Sequence, residues 1–164
     1  MEIRDLYDEN RILTGETIIK GKTYPANRRI LVVAIIIQNS KGEFLIQKRS
    51  VEKDGKWATT GGHPKAGETS LEGIITEVKE EIGLDIDNPI MFYTDGDDKV
   101  FCDLYYLKKD INLKDLKLQK EEVETVKWLS LDEIKQLVLK DEFKYSHLEM
   151  LKHALNYLKI DYNL

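Results

Sequence analysis

The sequence predicts an α+β fold in a single domain, 1–164, and three observations predict it. Ile30-Leu-Val-Val-Ala-Ile-Ile-Ile-Gln38 is a continuous β-branched run, the mark of a strand buried on both faces. One long amphipathic helix, opening at a capping box near Thr69, separates that strand and its neighbours from a later set of strands. Helical patterns then fill 131–159. Strands divided by one helix and followed by further helices stack as layers around one core. At 164 residues, 41% hydrophobic and 34% charged, the chain is long enough for one such core and short for two.

Taken in order, residues 1–29 read as a strand pair and a loop. Asp8-Glu-Asn-Arg11 is the hairpin turn, and Lys20–Arg29, with Gly21 and Pro25, is the loop. After the long strand, Asn39–Gly42 is a turn and Glu43–Arg49 the returning strand. Ser50–Lys56 is a polar loop. Trp57–Thr60 is a short strand feeding a glycine loop, with Trp57 read as packing. Thr69 is the N-cap of the long helix and Glu72, three residues on, completes its capping box. Leu71, Ile74, Ile75, Val78 and Ile82 form one apolar stripe, and Gly83 is placed as the left-handed C′ residue. Pro89–Thr94 and Lys99–Leu107 are strands around an Asp95–Asp98 turn, with Cys102 a small core residue. Lys108–Lys120 is a charged connector before the last strand, Val123–Leu129. Ser130 and Glu133 cap a helix running to about Leu139. Ser146 and Glu149 read as a third capping box, with Leu148, Leu151, Leu155 and Leu158 inward and His147 and His153 on the helix surface.

The net charge of -5 argues against a general nucleic-acid footprint. Cys102 is the only cysteine, so an internal disulfide is excluded and a reducing, cytoplasmic compartment is expected. The N-terminus lacks a basic and apolar leader pattern, and no stretch is apolar enough to span a bilayer, so no membrane partner is expected.

Chemistry concentrates in residues 61–84. At about 100° per residue, Glu77, Glu80 and Glu81 fall at roughly 0°, 300° and 40°, a single arc beside the apolar stripe. Carboxylates crowded at a core edge repel one another, and a hard divalent cation such as Mg²⁺ relieves that repulsion while keeping water positions for a phosphate substrate. Gly61, Gly62 and Gly67 let the backbone come close, so that a loop carbonyl can join the ligands.

The stretch resembles the Nudix box, Gly-x5-Glu-x7-Arg-Glu-U-x-Glu-Glu-x-Gly-U, where U is aliphatic. Gly62, Glu68, Glu77, Val78, Glu80, Glu81, Gly83 and Leu84 match, and only the arginine position departs, being Thr76. In Nudix proteins that arginine pairs with a motif glutamate; threonine offers a hydroxyl without charge. The resemblance implies a Nudix-type α/β/α sandwich with a mixed sheet between helices, and hydrolysis of a diphosphate linked to another moiety. It implies that Glu77, Glu80 and Glu81, with the Gly61 carbonyl, hold Mg²⁺ (or Mn²⁺), and that Glu68 binds metal through water or anchors the loop. Glu80 or Glu77 is the first choice of general base. Glu122, in the segment before the last strand, is the second. Arg28, Arg49, His63 and Tyr93 are the candidate substrate contacts, with His63 open between a contact and a loop residue. Homodimers are common in the family.

Two alternatives stand beside the hydrolase. Gly62-His63-Pro64 resembles the isopentenyl-diphosphate isomerase subgroup, yet Gly61 stands where that enzyme has its cysteine, and its upstream histidines are absent. A non-catalytic nucleotide or diphosphate sensor, with Thr76 as a mark of decay, is the other. Base, sugar and prenyl substrates are not distinguished by the sequence.

Overall fold

The computed structural model describes residues 1–164. Its central strand is β3 (Ile30–Gln38). Along one edge, β8 (Val100–Lys108) pairs with β3 in parallel from Ile30↔Val100 to Gln38↔Lys108, and β7 (Ile90–Gly96) lies antiparallel beyond it. The other edge is divided. β4 (Phe44–Arg49) returns from β3, yet only Gln38↔Phe44 pair before the two strands part. β6 (Thr60–Gly62) takes the free edge of β3, and β5 (Trp57–Ala58) takes that of β4, which also pairs with β9 (Val123–Leu129). The expected Trp57–Thr60 strand is therefore two short strands on different partners. Gly61 and Gly62 belong to the second, not to a loop. A Cβ on Gly61 would lie 2.5 Å from the Val33 carbonyl oxygen, so this close pairing requires glycine.

Alternation along β3 builds two cores. Leu31, Val33, Ile35 and Ile37 meet Ile74, Val78 and Ile82 of α1 (Ser70–Ile82) on one face. On the other, Ile36 with Phe44 and Ile46 of β4 meets Ile134 of α2 (Leu131–Leu139) and Leu148, Leu151 and Leu155 of α3 (Tyr145–Tyr157). The result is an α/β/α sandwich with a mixed sheet.

The cap of α1 is as expected: Thr69 and Glu72 satisfy each other's amides, and Gly83 ends the helix at φ 69°. Leu71, by contrast, is 45% exposed, and the buried stripe starts at Gly73 and Ile74. Gly73 is needed there, since a Cβ would lie 2.5 Å from the Pro64 ring. α2 has its Ser130–Glu133 capping box. α3 does not have the expected one. Its N-cap is Lys144, without a side-chain cap, and Ser146 lies inside the helix. Backbone pairing overrides the capping pattern: the Trp57 amide donates to the Glu142 carbonyl and the Lys144 amide to the Trp57 carbonyl, both at 2.8 Å.

β1 (Ile3–Tyr7) and β2 (Leu13–Ile19) form a separate hairpin turning at Asp8–Arg11. Arg11 reaches from the turn to Asp103 of β8 with bonds of 2.8 and 2.5 Å, and Ser70 and Thr94 also donate to Asp103. Burial pushes the Asp103 carboxyl up, but these donors more than offset it and hold it below the usual range. No helix is long and apolar enough to cross a membrane.

Candidate active site

A cavity of about 350 Å³ is lined by β3, the end of β4, β6, α1 and α3. α1 delivers Glu77, Glu80 and Glu81 to it. Glu77 and Glu81 are only 9% and 8% exposed. The Glu77 carboxyl rests on Gly62, where a Cβ would lie 2.4 Å from its Cδ. Glu81 Oε2 accepts from Gln47 Nε2 at 3.1 Å, and Gln47 Oε1 accepts from the Thr60 hydroxyl at 3.2 Å. Burial raises the Glu77 pKa to about 7, with Glu80 adding repulsion. Burial raises that of Glu81 to about 8; the Gln47 bond opposes the rise, and Glu77 and Glu122 add to it. Glu80 turns outward, 2.7 Å from Lys65 Nζ.

The donor set fits a hard cation in kind, because two buried carboxylates, one seated on Gly62 and one held by Gln47, bear charge at a cost that a cation would remove. The arrangement is not closed around a point: no group of three or more His, Cys, Asp or Glu side chains is assembled to hold a metal ion. Glu80 is bonded to Lys65 at the cavity wall.

Of the other sequence candidates, Gly61, Arg49, His63 and Glu122 line the same cavity. Glu122 is paired with Lys53 at 2.6 Å. His63 Nδ1 donates to the Leu31 carbonyl at 3.1 Å. Burial, aided by Arg4, lowers its pKa to about 4, so the ring is neutral and Nε2 carries a lone pair. Three candidates, Arg28, Tyr93 and Glu68, lie elsewhere. Arg28 is ion-paired with Glu16 on the N-terminal hairpin. Tyr93 stacks on His153, centroids 4.0 Å apart, in a second cavity of about 220 Å³ that shares Met150 with the first. Cys102 lines that second cavity, and burial raises its thiol pKa to about 11. Glu68 is outside the cavity and accepts from the Lys65 amide and the Thr76 hydroxyl, both at 2.8 Å. Thr76 thus makes one hydrogen bond to a motif glutamate, and Glu68 anchors the loop.

The histidines of α3 differ from expectation. Neither is a plain surface residue: His153 stacks as above, and His147 lines the main cavity with Nδ1 2.7 Å from the Thr59 hydroxyl. Burial, with Arg49 and Lys144 adding repulsion, lowers the His147 pKa to about 4. Sequence reasoning also missed Gln47, Lys144 and Arg4. Only Gln47 left a signal, a polar residue directly after the apolar Phe44-Leu45-Ile46.

The chain is thus an α/β/α protein with a mixed sheet between helices and a run of acids on the helix beside a glycine strand. The NUDIX domain model matches residues 28–153. An uncharacterized Nudix hydrolase of Listeria monocytogenes is 37% identical over 150 residues, covering 87% of this chain and 88% of that protein. An isopentenyl-diphosphate Delta-isomerase of Escherichia coli is 30% identical over 95 residues, 55% of this chain and 52% of the isomerase. Among solved structures, DR0079 from Deinococcus radiodurans superposes with a TM-score of 0.72 at 22% identity, over 87% of this chain and 91% of its own. The chain belongs to the Nudix family and is an enzyme of the Nudix hydrolase class.

Proposed function

We propose that the protein is a Mg²⁺-dependent pyrophosphohydrolase that cleaves the diphosphate linkage of a nucleoside diphosphate derivative or a related organic pyrophosphate. One observation carries this: Glu77 and Glu81 are buried carboxylates without a cationic partner, in a cavity whose other charged lining includes Arg49, Lys53 and Lys144. Glu77 and Glu81, with Glu80 and the Gly61 carbonyl, would hold the metal, Mn²⁺ being the alternative. When bound, such an ion neutralises phosphate charge and acidifies a water.

The remaining work falls to the chain itself. Gly62 and Gln47 orient the two buried carboxylates. Glu80 is the first choice of base: once turned from Lys65, an Oε of its carboxylate takes the proton of the attacking water, with Glu77 and then Glu122 as alternatives. Arg49 bonds phosphate oxygens. His63 offers Nε2. The organic moiety extends past Met150 towards Tyr93 and His153, into the second cavity. The single cysteine supports a cytoplasmic location.

The test is phosphate release across a panel of diphosphate compounds, with and without Mg²⁺, beside Glu80→Gln. Metal-dependent turnover that falls by about 10²-fold or more in the variant is expected. Equal turnover in the variant, or turnover without metal, would contradict the assignment. Silence across the panel with tight ligand binding would make the protein a sensor.

A further inference from the structure

Arg49 ends β4 and Lys144 precedes α3, yet both side chains line the main cavity. One carboxylate joins them. Asp54 Oδ1 accepts from Arg49 Nε at 2.9 Å, and its Oδ2 accepts from Lys144 Nζ at 3.2 Å. Oδ1 also accepts from the Lys56 amide at 3.0 Å, which fixes Asp54 to its own loop. Asp54 is not among the cavity-lining residues, so it holds the two cations from behind. It engages only Nε of Arg49, leaving the guanidinium's other nitrogens to donate to phosphate oxygens.

Lys144 occupies an unusual position. It is the N-cap of a helix of 13 residues, where a hydroxyl or carboxylate side chain is the common occupant, and it makes no side-chain cap. A cation there adds to the positive end of the helix, an unfavourable placement unless an anion is present. Asp54 supplies one negative charge to two positive ones. The pair therefore retains one net positive charge at the cavity wall, whereas the neighbouring Lys53 is already paired with Glu122.

We propose that Arg49 and Lys144, held at fixed spacing by Asp54, form a two-cation clamp for one phosphate of the diphosphate. Lys144 is a binding residue supplied by α3, and Asp54 is a positioning residue that never touches the ligand. The nature of the ligand rests on the hydrolase reading above; the clamp itself is testable without turnover.

The experiment uses the full chain and inorganic pyrophosphate, titrated calorimetrically at pH 7, together with KM and kcat on any panel compound that is hydrolysed. Lys144→Met should weaken pyrophosphate binding by about tenfold and raise KM alike, with kcat changed less than about twofold. Asp54→Asn should also weaken binding, although it removes a negative charge, and should add little in the Lys144→Met background. Lys56→Met removes the same positive charge as Lys144→Met but outside the cavity, where Lys56 pairs with Asp141, and should leave binding unchanged. Melting temperatures verify that each variant is folded. Wild-type affinity in Lys144→Met, tighter binding in Asp54→Asn, or an equal loss in Lys56→Met would overturn the clamp. A silent panel with Lys144-dependent pyrophosphate binding would retain the clamp and remove the hydrolase. Turnover with an unchanged KM in Lys144→Met would do the reverse.

Discussion

Gly62 shows how closely backbone and acid are matched at the site. A Cβ there would meet the Glu77 carboxyl at 2.4 to 2.8 Å, while the backbone has no left-handed requirement. Gly62→Ala should therefore displace a flexible side chain and not unfold the strand. Its kcat is expected to fall by about 10²-fold, as for other misplacements near 1 Å, with only a small change in melting temperature. Side-by-side kinetics and thermal melts check this. The acids themselves were legible in the sequence because Glu77, Glu80 and Glu81 sit on one helix, where spacing alone fixes their arc. His147 and Lys144 were not, because each reaches the cavity only through the packing of a distant element; Gln47, which holds Glu81, left no signal beyond a polar residue after an apolar run. Arg28 illustrates the converse: adjacent in sequence to the central strand, it is spent on Glu16.

At the scale of elements, α1 and α2 were readable because caps and period agree, and local signals then decide. The start of α3 was not. Two backbone bonds to Trp57 set it, and a capping pattern inside the helix lost to them. The division of Trp57–Thr60 between β4 and β3 was equally hidden, since strand pairing is a property of partners and not of the run. The N-terminal hairpin gives the clearest prediction at this scale. Its turn is docked through Arg11 onto Asp103, whose side chain is fully buried. Arg11→Ala leaves that carboxylate without its cation and is expected to cost about 3 kcal/mol, read by urea unfolding. The hairpin also carries Glu2, Arg4 and Lys20 to the cavity, so its undocking should weaken the site as well.

For the whole molecule, the site and the stability of the fold are linked through pH. Glu77 and Glu81 have folded pKa values raised to about 7 and about 8 from 4.5, so the stability they lend while protonated is lost as pH rises through that interval. His63 and His147 have folded values lowered to about 4 from 6.5, so their contribution is complete above 6.5 and is lost as pH falls below it. The two effects oppose one another below pH 6.5, and the glutamates dominate above it. Between pH 6.5 and 8 the metal-free protein should lose about 2 kcal/mol, roughly 4–8 °C in melting temperature. Mg²⁺ favours the ionised glutamates and should restore most of that loss at pH 8. Glu81→Gln should flatten the metal-free profile and remove most of the Mg²⁺ response. The measurement that bears most directly on the proposed glutamate metal centre is this melting curve, at pH 6.5 and pH 8, with and without Mg²⁺. A fall with pH that Mg²⁺ reverses is the expected result. A metal-free melting temperature that is level or rising over that interval, and indifferent to Mg²⁺, would contradict it.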